Sequence, residues 1–218
     1  VENASRIPSL EAVGLDCTRG ERMLFSGVAF RVQGGELLRI VGPNGSGKTS
    51  LLRIACGLLE PSGGEVRWEG ENIRRLQEEF WRNLLYLGHA NAIKDDLSAA
   101  ENLKIACALS GLTVPDMQVH EALDRLGLAG REHLPARVLS QGQRRRAALA
   151  KLVLSPSIPL WILDEPFTAL DAAASDCVRG LIANHAARGG VIVYTTHHEV
   201  PVAAARTLRV ELGSGMAT

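Results

Sequence analysis

The chain has 218 residues, 46% hydrophobic, 22% charged and 4% aromatic, enough apolar material for a substantial core and a mixture that excludes a disordered or fibrous protein. Lysine plus arginine and aspartate plus glutamate each number 24, for a formal net charge of zero, so no basic excess favours a nucleic-acid partner. Cys17, Cys56, Cys107 and Cys177 form no close pair, which leaves neither a zinc site nor a redox dithiol legible and fits a reducing cytosol.

The opening residues include Glu2, Asn3 and Pro8 and form no secretory apolar segment. Nowhere do 18 apolar residues run together, so the chain is not expected to cross a membrane by itself. Residues 10–16 and 28–32 read as strands of an antiparallel layer, with Gly34-Gly35 as a turn, and 65–68 joins them after Gly63-Gly64. Residues 37–41 read as a buried strand feeding a Gly-rich turn and a helix over 48–56. From Phe80 to about Leu139 helical spacing dominates. Ser98-Ala99-Ala100-Glu101 is a capping box for a helix reaching Leu109 and stopped by Gly111. Pro115 and Gly127 bracket a second helix. Residues 159–163 and 191–195 are two further apolar strands. The order implies one α/β domain over 1–218: a largely parallel core with its β layer from 1–79 and 140–218, and a helical lobe inserted at about 80–139.

Between strand 37–41 and its helix lies Gly42-Pro43-Asn44-Gly45-Ser46-Gly47-Lys48-Thr49, followed by Ser50, a match to G-x-x-x-x-G-K-[ST]. The glycines let backbone N–H groups wrap a phosphate, and the helix presents its positive end to the same anion. Lys48 would reach the β- and γ-phosphates, and the Thr49 hydroxyl would ligate Mg²⁺. A chance match in a chain of this length is expected on the order of once in a hundred. Leu160-Trp161-Ile162-Leu163-Asp164-Glu165 is an apolar strand ending in two acids, which suit a Mg²⁺ partner (Asp164) and a base for an attacking water (Glu165). These residues imply a P-loop NTPase without saying which kind, with a nucleoside triphosphate and Mg²⁺ as the expected ligands; the resemblance that follows implies ATP.

Leu139-Ser140-Gln141-Gly142-Gln143 begins 25 residues before Asp164. It resembles the LSGGQ signature of the ATP-binding-cassette (ABC) ATPases, with Gln141 in place of the first glycine. In that family Ser140, Gly142 and Gln143 would cradle the γ-phosphate held by a second copy. Thr168-Ala169-Leu170-Asp171 looks like the family's D-loop, with Asp171 directed at the opposite subunit's site, although Asp171 is also a good N-cap. Thr195-Thr196-His197 resembles the switch histidine that orients γ-phosphate and water; His198 has no counterpart and reads as surface. The implied fold is a P-loop (RecA-like) ABC nucleotide-binding domain. Two positions depart from the family pattern. Arg19 falls where an aromatic usually stacks on adenine, a role a guanidinium can fill less selectively. Leu87-Gly88-His89 occupies the loop that normally offers a glutamine, so His89 stands in.

Tyr86-Leu87-Gly88-His89, Ile93-Lys94, the run from Leu97 to Leu103, and the segment from Trp161 to Asp171 are similar to one branch, the ATP-binding subunits of bacterial cytochrome c maturation (Ccm) haem exporters. The resemblance implies a peripheral ATPase on the cytoplasmic face of the inner membrane, docked on integral membrane subunits. Two copies would sandwich two ATP molecules, and the cycle would release haem from a chaperone complex. Another small exporter or importer subunit, a soluble ABC ATPase acting on ribosomes or DNA, and a nucleotide-binding scaffold without turnover are the other classes. The single cassette and the presence of Glu165 and His197 weigh against the last two. Cys56 and Cys107 read as helix packing residues rather than haem ligands.

Overall fold

The computed structural model describes residues 7–196 and 200–213. The chain divides into two compact units, one comprising residues up to 86, 158–165 and 183 onward, the other 87–157 and 166–182.

The first unit holds two sheets. In chain order its elements are β1 (Ser9–Arg19), β2 (Arg22–Gln33), β3 (Glu36–Val41), α1 (Lys48–Ala55), β4 (Gly63–Trp68), β5 (Glu71–Asn72), α2 (Ile73–Leu76), α3 (Glu78–Arg82), β6 (Leu84–Leu87), β7 (Leu160–Leu163), β8 (Val191–Thr195) and β9 (Arg206–Glu211). One sheet is antiparallel, ordered β2-β1-β4-β5; the other is ordered β6-β7-β8-β3-β9, and the pairs β7–β8, β8–β3 and β3–β9 are parallel. Every residue of β7 and β8 is buried, as strands covered on both faces must be. In β1 burial alternates through Leu10, Ala12, Leu15 and Cys17, with register shifts from Ala12 onward. Its far end closes a tight hairpin that sets Arg19 opposite Arg22. Leu38, Ile40, Leu51, Leu52, Ile54, Trp68, Phe80, Ile162 and Val193 share one core cluster, each such side chain stabilising the fold by about 1.5–3 kcal/mol. That core fixes β3, α1 and β7: the chemistry-bearing residues follow the ends of β3 and β7 and open α1.

A second feature of this unit is polar. His185 lies flat on Trp161, ring centroids 3.8 Å apart, and is 4% exposed. Neither ring nitrogen makes a well-formed hydrogen bond. Burial pushes its pKa down to about 4, only partly offset by the backbone of Pro159.

The second unit is helical: α4 (Ala99–Ala108), α5 (Asp116–Arg125), a 3₁₀ turn (Ala136–Val138), α6 (Gln141–Leu149), α7 (Lys151–Leu154) and the first part of α8 (Ala172–Ala187). Ser98 caps α4 reciprocally with Glu101, and Pro115 starts α5. Leu103, Cys107, Val119, Leu123, Leu126 and Leu149 are buried in it.

An antiparallel layer, a parallel sheet and a helical unit are present as the sequence implies, with three differences, the first being that residues 140–157 and 166–182, expected in the core, group with the helical unit. Residues 84–87, inside the stretch of helical spacing, form edge strand β6; four apolar residues in a row carry no period that separates strand from helix. Strand β9 was not anticipated, because its alternation of exposed and half-buried residues lacks an apolar run. His197 and His198 lie outside the described residues.

Candidate functional site

Strand β3 delivers the chain into loop 42–47, and α1 begins at Lys48 with Gly47 as its cap at φ 98°. That left-handed conformation, with Phe25 Cδ1 only 3.0 Å from where a Cβ would sit, admits glycine and little else. Lys48 is 7% exposed, and its Nζ donates to the carbonyls of Gly42 (2.8 Å) and Pro43 (3.0 Å). The ammonium is thus held at the loop, where an anion can draw it away from neutral carbonyls. The Ser46 hydroxyl is buried without a hydrogen-bond partner, the kind of orphan a bound phosphate would satisfy.

Behind the loop runs a chain of hydrogen bonds. Thr49 Oγ1 donates to Asp164 Oδ2 at 2.9 Å, Thr195 Oγ1 donates to Asp164 Oδ1 at 2.7 Å, and the Glu165 N–H donates to Thr195 Oγ1 at 2.9 Å. Asp164 and Thr195 are 1% and 0% exposed. Glu165 is half-buried with φ 50°, a left-handed conformation uncommon for a side-chain-bearing residue and one that its surroundings must enforce. Thr195 therefore sets both acids, a role the sequence reading did not give it. The signal was available: a threonine at the end of a wholly buried strand, two residues before His197, which the resemblance marks.

A cleft of about 470 Å³ is lined by Arg19, Arg22, Leu24, Asn44, Gly45, Gly47, Lys48, Thr49, Ser50 and Glu165. Arg19, expected from the resemblance alone, meets the phosphate loop there. Arg22, its partner across the hairpin, is a second cation at the same wall that sequence reasoning missed.

In the second unit Ser140 caps α6. Its hydroxyl accepts from the Gln143 N–H at 3.2 Å, and Gln143 Oε1 accepts from the Ser140 N–H at 2.9 Å. Gly142 comes close to the Ala169 carbonyl, 2.9 Å from where a Cβ would lie, so glycine is required for the approach of α6 to the 168–171 loop. Asp171 Oδ1 accepts from the Ala174 N–H at 2.8 Å, and its Oδ2 lies 3.8 Å from Arg146. The N-cap role and a link to the signature helix coexist. His89 is exposed, on a loop whose Gly88 carbonyl accepts from buried Arg145. Cys56 and Cys107 are fully buried, and desolvation raises both thiols, which suits packing. Among the described residues no group of three or more His, Cys, Asp or Glu side chains could hold a metal.

The family profile described as ABC transporter matches residues 25–168, spanning the phosphate loop, the signature segment and both strand-end acids. This chain belongs to the ABC transporter family. Two curated relatives of this ABC protein carry the name cytochrome c biogenesis ATP-binding export protein CcmA. That of Nitrosospira multiformis is 52% identical, over 94% of this chain and 100% of its own length. That of Nitrosomonas europaea is 54% identical, over 90% and 92%. A dimeric ATP-binding cassette, solved in a post-hydrolysis state bound to ADP and Pi, superposes with a TM-score of 0.78, 23% identity and coverage of 94% of this chain and 96% of its own, a likeness of fold. Among the described residues, no helix of the ABC chain is long and apolar enough to cross a membrane.

Proposed function

We propose that the chain is the ATP-hydrolysing subunit of an exporter for cytochrome c biogenesis, bound peripherally to integral membrane subunits on the cytoplasmic face of the inner membrane, with haem as the cargo or the group released. The observation that carries the hydrolytic half is the Thr49–Asp164–Thr195–Glu165 hydrogen-bond chain beside a P-loop. The names of relatives about half identical over nearly their whole length support the biological half.

Loop residues Gly42, Pro43, Asn44, Gly45, Ser46 and Gly47 would offer their backbone N–H groups to the triphosphate, with Ser50 in the first turn of α1. On binding, Lys48 exchanges its loop carbonyls for phosphate oxygens. Thr49 Oγ1 and Asp164 Oδ2 are hard oxygen donors facing one another at 2.9 Å, a pair that fits Mg²⁺. The ion would neutralise charge on the β- and γ-phosphates. Glu165, held by Thr195, takes a proton from the attacking water as the water's oxygen bonds the γ-phosphorus and the bond to the β,γ-bridging oxygen breaks, leaving ADP and phosphate. His197, by its place in the motif, orients that water and phosphate. Arg19, at the cleft wall, would stack on the adenine in place of the family's aromatic. Ser140, Gly142, Gln143 and Asp171 would complete the site of a second copy in an ATP-bound homodimer. The His89 loop would sense nucleotide and face the membrane subunits.

Affinity purification from detergent-solubilised membranes, with partners identified by mass and phosphate release measured on the complex, tests this reading. Recovery with integral membrane subunits and ATP turnover is expected. Recovery with ribosomes or DNA instead would replace the exporter with a soluble ABC ATPase.

A further inference from the structure

Three consecutive arginines on α6 reach other parts of the second unit, the first two the irregular 88–95 segment and the third the 126–127 turn. Arg144 Nη1 donates to Asp95 Oδ1 at 2.7 Å. Arg145 Nη1 donates to the Gly88 carbonyl at 3.0 Å and to Asn91 Oδ1 at 3.1 Å. Arg146 Nη1 donates to the carbonyls of Leu126 and Gly127 and lies near Asp171. Of the three, only Arg145 is buried, at 5% exposure.

That burial is informative. Taking a guanidinium out of water costs several kcal/mol unless its donors are satisfied, and leucine or methionine would fill an inward helix position without that cost. Arg145 directs donors to a backbone carbonyl 57 residues earlier and a side-chain amide 54 residues earlier. Both belong to a segment without regular structure that flanks His89. A rigid planar fork fixes the distance between loop and helix; a lysine, with one compact head on a flexible stem, would not. Arg144 adds a second tie to the same segment at Asp95, more exposed and so weaker.

We infer that Arg145 is a positioning residue: it clamps the 88–91 loop to the signature helix, so that a displacement of the His89 loop moves Ser140 with it. The clamp deepens the ATPase reading and rests on it for its catalytic consequence, but not for its structural one. Neither motif nor resemblance marks Arg145.

The test uses the full chain with Arg145→Lys, Arg145→Met and Asn91→Ala. Amide hydrogen exchange of residues 88–91 without nucleotide should quicken about tenfold or more in both Arg145 variants, as loss of one or two hydrogen bonds requires, while exchange in α4 and α5 stays as in wild type. In steady-state turnover the KM for ATP should hold within about twofold while kcat falls about tenfold, because the P-loop is untouched and signature placement is not. Asn91→Ala should cost less than Arg145→Lys, and the pair should cost no more than Arg145→Lys alone. Should Arg145→Met fail to fold, Arg145→Lys decides. Wild-type exchange in the 88–91 loop, or wild-type kcat in Arg145→Lys, overturns the clamp. A wild-type chain that hydrolyses no ATP would overturn the ATPase reading instead, and the exchange rates would still decide whether the clamp exists.

Discussion

Replacing Thr195 by valine removes one hydroxyl from a wholly buried position while keeping the side chain's volume, so no cavity confuses the result. Two hydrogen bonds go with it. One is the donation to the Asp164 carboxylate at 2.7 Å, the other the acceptance from the Glu165 N–H at 2.9 Å. A hydrogen bond to a charged group is worth about 1.5–3 kcal/mol, and a half-buried N–H left without its acceptor adds about 1 kcal/mol. The expected loss is about 2–4 kcal/mol, which for a chain of this size lowers Tm by about 5–15 °C. Activity should suffer more than stability. Glu165 sits at φ 50°, and without the Thr195 oxygen its peptide is released toward ordinary backbone angles. A displacement of about 1 Å at a catalytic base costs on the order of 100-fold in rate. Thr195→Ser keeps the oxygen and should hold kcat within about threefold, the mild effect of losing a methyl group. The assays are thermal unfolding by circular dichroism and steady-state phosphate release. Thr195→Val with kcat within about twofold of wild type, or with an unchanged Tm, would refute the assignment of Thr195 as the group that sets both acids.

Other expectations follow from the same geometry. Lys48→Ala should remove ATP binding or turnover, since it deletes the main positive charge on the transferring phosphate; wild-type turnover would sink the P-loop assignment. Ser140→Arg should bind ATP at its own P-loop yet fail to hydrolyse it, and mixing it with Lys48→Ala should restore at most one composite site per dimer; normal activity of Ser140→Arg alone would reduce the signature to a helix cap. His185, with a pKa near 4 against an ordinary 6.5, binds its proton in the unfolded chain before the native one, so stability should fall as pH drops from about 6.5 toward 4, by about 3 kcal/mol at most. His185→Phe keeps the stack on Trp161 and should flatten that part of the Tm-against-pH curve; identical slopes in both proteins would place the acid sensitivity elsewhere.

The phosphate loop was legible because its chemistry is local: eight consecutive residues at a strand-to-helix junction make the whole cradle. The capping box at Ser98 was legible for the same reason, spanning only the four residues to Glu101. Arg19 and Arg22 are harder, because only the hairpin register brings the second arginine opposite the first. Thr195 and Arg145 lie beyond local pattern altogether. Thr195 meets Asp164 through the pairing of β8 with β7, across 31 residues of sequence, and Arg145 meets Gly88 across 57. Strand β6 was hidden by a run of apolar residues too short to show a period, and β9 by its exposure.

The central claim is that Glu165, set beside Asp164 and the P-loop, is the base for ATP hydrolysis. It is tested most directly by phosphate release from Mg-ATP with wild type and Glu165→Gln under single-turnover conditions, nucleotide binding being measured on the same samples. The amide keeps the shape but accepts no proton. The account predicts undiminished ATP binding with hydrolysis lowered by about 100-fold or more, whereas Glu165→Gln releasing phosphate at the wild-type rate would contradict it.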